Sequence, residues 1–166
     1  MSVPISIEVA TPADRDALLL LLTKQFAEHD IHLGLEKLGY AIDGLLSEPR
    51  RGRILVARRD GQVVGLAAMS YIWTLEHGAQ TCWLDELYVE PTLREQKIGT
   101  QLLHAAYTRA EADGCVAMDL EVEEDHARAA NLYRREGFLA HSRARFVRLL
   151  GAARTDPTTS WGNKTT

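Results

Sequence analysis

Three groups of residues carry the types and spacing that chemistry needs. The first is the adjacent pair Asp85-Glu86, set in the apolar stretch Leu84–Val89, where one carboxylate could accept a proton and the other hold a cation. Neighbours on an ideal strand project to opposite faces, so only one of the two is expected at a reacting centre. The second group follows at once. Val89 runs through a proline-containing turn into Arg94-Glu95-Gln96-Lys97-Ile98-Gly99-Thr100 and then into a helical pattern. Such a strand–turn–helix junction presents unpaired N–H groups and the positive end of a helix dipole, which suits a phosphate. The third group centres on Tyr133, four residues before the helix-stopping Gly137, whose hydroxyl could give a proton to a leaving group. His126 lies seven residues earlier and therefore on the same helical face. Read singly, Tyr133 could be a core residue packed on Phe138, and the acidic pair could be a solvated surface. Their order and spacing together point to a cofactor site and a proton donor on one small domain.

Taken together, these stretches resemble the GNAT superfamily of acyl-CoA-dependent N-acyltransferases. The family's phosphate loop, Gln/Arg-x-x-Gly-x-Gly/Ala, is matched by Arg94, Ile98 and Gly99, with Leu87-Tyr88-Val89 before it and Leu102-Leu103 after it. Lys97 stands where the first glycine is expected. A second signature is met by Ala129, Leu132, Tyr133, Gly137 and Phe138, with His126 in place of an asparagine. The resemblance spans roughly residues 5 to 150. It implies an α/β (α+β) fold: a mixed central sheet of about six to seven strands, flanked by about four helices, with parallel strands splayed apart at the acetyl-CoA site.

The resemblance also assigns roles. Backbone groups of Leu87 and Val89, on either side of Tyr88, would pair with the pantetheine arm. Arg94 and the N–H groups from Glu95 through Gln96, Lys97, Ile98 and Gly99 to Thr100 would take the pyrophosphate, and His126 would touch the arm. Tyr133 would protonate the departing thiolate, Asp85 would take the acceptor's proton through water, and Glu86 would orient a cationic acceptor. A lysine at position 97 costs about 1 kcal/mol relative to glycine if the backbone there needs a positive φ. If φ is negative, its ammonium could instead add a phosphate contact.

The elements that must position these groups read clearly. Ile5–Val9 alternates as a strand, and Thr11-Pro12-Ala13-Asp14 opens a helix to about Glu28. That helix is apolar nearly all round over Leu18–Leu22 and should be well buried. Leu35–Leu46 is a second helix, and His29, Asp30 and His32 fall between the two, where relatives build the acceptor pocket. Arg53–Arg59 and Gln62–Trp73 flank the turn dipeptide Asp60-Gly61 and continue to Thr81–Val89 as a meander. A helix over Lys97–Ala112 makes the strand Cys115–Val122 parallel to its predecessor. Asp125 caps the Tyr133 helix, and Arg143–Leu150 is expected to close the sheet.

Composition bounds the rest. The 166 residues fit one domain over 1–150 with a flexible tail over 151–166, in which Trp161 could act as an anchor. Cys82 and Cys115 lack a partner spacing, so neither a disulfide framework nor a thiol nucleophile is expected, and attack by the amine is direct. The histidines lack a metal-ligand spacing, and no metal is expected. A net charge of −4 argues against nucleic acid as partner. Acidic residues gather at Asp85-Glu86 and at Glu121, Glu123, Glu124 and Asp125, which favours a cationic acceptor, while arginines over 50–59 and 128–148 could hold CoA phosphates. The N-terminus has no basic leader and the chain no long apolar run, so a cytoplasmic protein without a membrane partner is expected. The reading is an acetyl-CoA-dependent N-acetyltransferase whose acceptor is a small cationic amine such as a diamine or polyamine. Amino acids, aminoglycosides and protein amines stay open as acceptors, as do a non-catalytic acyl-CoA sensor and a homodimer.

Overall fold

The computed structural model describes residues 4–123 and 126–160; Glu124 and Asp125 of the acidic cluster, including the expected helix cap, and Trp161 lie outside the described residues. In chain order the elements are β1 (Ser6–Val9), α1 (Arg15–Glu28), β2 (His32–Leu33), α2 (Leu35–Ser47), β3 (Gly52–Arg59), β4 (Gln62–Thr74) and β5 (Ala79–Val89). Then follow α3 (Ile98–Ala112), β6 (Met118–Asp119), α4 (Ala127–Arg135) and β7 (Thr159–Ser160). Five strands form one sheet in the order β1-β3-β4-β5-β6, and β2 pairs with β7 in a small second sheet. This is the mixed α/β architecture expected. Among the described residues no helix is long and apolar enough to cross a membrane.

Local sequence accounts for the meander. Asp60 and Gly61 take φ of +51° and +76°, and Arg59 pairs with Gln62, so the β3–β4 connection is a two-residue turn with both central residues left-handed. At the start of α1, the Asp14 carboxylate accepts the Thr11 N–H at 2.8 Å and binds Arg58 at 2.7 Å, joining the helix entry to β3.

Apolar residues of alternate parity on the sheet feed two cores. Leu102, Leu103 and Ala106 of α3 pack on Leu55, Ala67, Met69, Cys82 and Leu84, with Leu132 and Tyr133 of α4 at the margin. On the opposite face Leu18, Leu21 and Leu22 of α1 and Leu38 and Ile42 of α2 pack on Val56, Leu66, Ala68 and Tyr88. The leucine run of α1 is one-sided rather than buried all round: Leu18 is 0% exposed and Leu20 57%.

Two expected strands differ. Cys115–Val122 contracts to Met118–Asp119, because β6 pairs with β5 only at Cys82↔Met118 and Trp83↔Asp119 before the two strands part. Arg143–Leu150 forms no strand. Its alternation of arginines and apolar residues mimics an edge strand, but it is tethered by ion pairs, Arg143 to Glu76 at 2.7 Å and Arg145 to Glu121 at 2.8 Å. Beyond residue 150, where a tail is expected, Thr158 accepts the Gly34 N–H at 3.1 Å, and Lys37 binds Thr159 at 3.1 Å and pairs with Asp156.

The two faces of α1 give a stability test. Leu18→Ala should cost about 2–5 kcal/mol in urea unfolding and Leu20→Ala less than about 0.5 kcal/mol; equal losses would contradict the packing of α1.

Candidate active site

The site begins with a defect in β5. Ala68 pairs with Glu86 and Met69 with Leu84, so Asp85 is the extra residue of a β-bulge. Before the bulge Cys82 and Leu84 face α3; after it Tyr88 faces α1, and Leu87 and Val89 line the α3 side. The parity change brings Asp85 and Glu86 into the same cleft, where simple alternation had separated them.

Hydrogen bonding in β5 exposes a second feature. Glu90 N–H donates to Val64 O at 2.9 Å, so in this antiparallel ladder the pairs Glu86–Ala68, Tyr88–Leu66 and Glu90–Val64 exchange bonds. Leu87 and Val89 therefore turn their backbone groups the other way, toward the gap left where β6 has ended. Arg94 Nε donates to Val89 O at 3.0 Å, and its guanidinium reaches both Glu28 oxygens at 2.9 Å. The same guanidinium lies 5.3 Å from the centre of the Tyr88 ring, whose hydroxyl donates to Glu28 at 3.1 Å. Tyr88 thus braces β5 against α1 and does not face the gap.

The loop after β5 ends in two left-handed residues, Glu95 at φ +68° and Lys97 at φ +62°. Lys97 therefore occupies the conformation a glycine would take, at a cost of about 1 kcal/mol, and its position as the N-cap preserves the loop. The first helical bond runs from Gln101 N–H to Lys97 O at 3.0 Å, which leaves the N–H groups of Ile98, Gly99 and Thr100 without intrahelical partners. The side chain of Ile98 is 2% exposed and belongs to the core. Glu95 pairs with Arg128 of α4 at 3.5 Å, and Gln96 accepts a bond from Arg59 at 3.1 Å.

The cleft itself, of about 440 Å³, is lined by residues of α1, of β5, of the segment that follows β6 and of α4. Asp85, Glu86, Leu87, His126 and Tyr133 all line it. Burial, reinforced by the charge of Asp85, pushes the Glu86 carboxyl up to about 7. Asp85 is raised by burial and partly restored by a hydrogen bond from the Ser70 hydroxyl. Burial and the nearby Glu86 charge push Tyr133 up to about 12. Its ring packs edge-on against Phe138 with centroids 5.6 Å apart, so Tyr133 is both a packing residue and a cleft residue.

Gln25 is the cleft residue that sequence reading missed. It is 5% exposed, donates from Nε2 to Glu86 at 2.6 Å, and leaves its Oε1 buried without a partner. No motif marks it; the signal available was a glutamine on a leucine-rich helix, four residues after Leu21 and so on the buried stripe.

The sequence profile of the Acetyltransferase (GNAT) family matches residues 16–138. The chain belongs to this family. It is 30% identical over 141 residues to the aminoalkylphosphonate N-acetyltransferase of Salmonella typhimurium, covering 85% of this chain and 88% of the relative. The fold is shared with an aminoglycoside N-acetyltransferase, AAC(6')-Iy, in complex with CoA, at a TM-score of 0.78 and 17% identity over 90% of this chain and 97% of that one. It is shared too with a ribosomal-protein-alanine N-acetyltransferase from Brucella melitensis, at a TM-score of 0.69 and 20% identity over 88% and 100% of the two chains. The protein is an acetyl-CoA-dependent N-acetyltransferase.

The raised Glu86 carboxyl has a thermodynamic signature. The native state holds its proton up to about pH 7 whereas the unfolded chain loses it near 4.5, so native stability falls as pH rises between those values. Glu86→Gln should therefore gain stability over the wild type at pH 8 and show little gain at pH 4.5, measured by thermal unfolding. A pH-independent difference would contradict the burial of an ionisable Glu86.

Proposed function

We propose that this enzyme acetylates a small amine bearing more than one positive charge, a diamine or polyamine, with Glu86 as base and Tyr133 as acid. The observation that carries the proposal is the pairing of Asp85 and Glu86 in one cleft, where burial has raised the Glu86 carboxyl to about 7. An ammonium of pKa about 10.4 lies ~6.5 units above an ordinary aspartate, roughly 9 kcal/mol against transfer. For Glu86 the gap shrinks to roughly 3.4 units, about 5 kcal/mol. Glu86 thus takes the role of base that the resemblance gives to Asp85. Asp85 keeps the neighbourhood anionic for the incoming cation. Gln25 holds Glu86 through Nε2, which must be the donor toward an ionised carboxylate, and offers its unpaired Oε1 to an N–H of the acceptor.

The fit of acetyl-CoA rests on backbone groups that face the gap, those of Leu87 and the N–H of Val89, whose carbonyl Arg94 already holds, and on the N–H groups of Ile98, Gly99 and Thr100 at the α3 start for the pyrophosphate. Arg94 shapes the loop, Glu95, Gln96 and Lys97 set its path, and Tyr88 acts only as the brace beneath it. His126 flanks the arm from α4. In the transfer, Glu86 removes the ammonium proton, the amine nitrogen attacks the thioester carbonyl, and the C–S bond breaks. As the tetrahedral adduct collapses, Tyr133 donates its hydroxyl proton to the departing sulfur, the adduct nitrogen gives up its second proton and so restores Tyr133, and Glu86 releases the first proton to solvent. Burial keeps Tyr133 protonated at working pH, so that it arrives at the transfer as a donor.

A second reading has its own observation. Arg145 lines the cleft, and an acceptor carrying an anion, as the name of the Salmonella relative describes, could use it. Here Arg145 is engaged by Glu121 at 2.8 Å, which favours the cationic acceptor.

Release of free thiol from acetyl-CoA, assayed against polyamines, diamines, amino acids, aminoglycosides, an aminoalkylphosphonate and short peptides, tests the acceptor; highest kcat/KM is expected for a di- or polyamine, and a preference for the phosphonate would favour the second reading. With that acceptor, kcat/KM should rise with pH to a plateau above about 7, and Glu86→Gln should remove this limb and lower the plateau on the order of 100-fold. Tyr133→Phe should lower kcat by a similar factor while CoA affinity measured by calorimetry stays within about twofold; unchanged kcat would refute its role.

A further inference from the structure

Two imidazoles and a carboxylate converge at the mouth of the cleft from separate elements. His29 is the C-cap of α1, held by a left-handed closure in which Asp30 takes φ +53° and Ile31 N–H donates to Phe26 O at 2.9 Å. The His126 N–H donates to the Glu123 carbonyl at 2.9 Å, which holds these two residues close together. The rings of His29 and His126 meet edge to face, 4.8 Å between centroids. One ligand-capable atom from each of His29, Glu123 and His126 lies within 4.8 Å of the other two. All three residues line the cleft.

We propose that His29, Glu123 and His126 form a binding site for a divalent cation of the zinc class, which blocks the cleft when bound. Two imidazole nitrogens and one carboxylate oxygen form a three-ligand set that suits zinc with a fourth position open to water. Magnesium and calcium, which want oxygen ligands throughout, fit it poorly. Zinc holds such atoms at about 2.0–2.2 Å, so tetrahedral donors sit roughly 3.5 Å apart, and side-chain rotation closing the present separations by about 1 Å completes the site. The histidines have no sequence spacing that announces this: 97 positions separate them, and the fold alone brings them together. An ion there ties the end of α1 to the start of α4, the two helices on opposite sides of the gap. It stands across the route to Glu86, so it inhibits rather than catalyses; this last step rests on the proposed function, whereas metal binding does not.

The test uses the full chain stripped of metal with chelator and titrated with Co²⁺ and then Zn²⁺. One saturable site is expected, with Co²⁺ visible absorption of low coordination number that Zn²⁺ displaces. His29→Asn and His126→Asn should each weaken Zn²⁺ binding by at least about tenfold in calorimetry, and His141→Asn should leave it unchanged. Zn²⁺ should also inhibit thiol release by the wild type, with the inhibition relieved in His29→Asn relative to that variant's own metal-free rate. Absence of saturable binding, or binding that survives His29→Asn, overturns the site; tight binding without inhibition overturns the blocking role.

Discussion

Once β6 leaves β5 after Trp83, the rest of β5 has no strand neighbour on that side among the described residues; the backbone of Leu87 and the Val89 N–H face the gap, while Arg94 holds the Val89 carbonyl. Buried polar backbone without a partner is costly, so a sheet that ends a pairing in its interior needs another occupant for the vacated edge. In this enzyme the parting of two strands both opens the cleft and supplies the hydrogen-bonding groups that an extended, amide-bearing co-substrate can use. The α3 crossover that makes β6 parallel places the free N–H groups of its own first turn at the end of the same edge, where a phosphate belongs.

The proposed chemistry depends on a second irregularity, the bulge at Asp85. Without it one carboxylate would point into the α3 core. With it both face α1, and Glu86 lies against Gln25 in surroundings that oppose its charge. The same burial that raises the Glu86 carboxyl also raises the Tyr133 hydroxyl and keeps it protonated. In the mechanism we propose, acid and base are thus separated by environment within one cleft. The ionised Glu86 and the orphaned Gln25 oxygen both lower stability. The cationic acceptor we propose would relieve both, which couples that cost to selection of the ligand.

Much of the fold was legible because it is written in local terms. Asp60-Gly61 dictates its turn, Thr11 and Pro12 begin the entry to α1, and Gly137 takes φ +89° where the Tyr133 helix stops. The candidate site was legible to the extent that it rests on motifs: Tyr133, the acidic pair and the loop into α3. What could not be read depends on pairing partners. A bulge exists only relative to β4, so alternation within β5 alone gave Asp85 and Glu86 opposite faces. Arg143–Leu150 has the pattern of a strand but is held by Glu76 and Glu121, and ion pairs across the chain leave no periodic trace. Gln25 and Arg94 likewise owe their roles to Glu86 and Glu28, which are remote in sequence.

The central claim is that the unpaired edge of β5 receives acetyl-CoA. Amide hydrogen exchange with and without CoA reads this edge residue by residue. The account predicts that CoA slows exchange at Leu87, Val89 and the first turn of α3, while Tyr88, already paired with Leu66, changes little. Protection that is absent at Leu87 and Val89, or that appears equally at Tyr88, would contradict it.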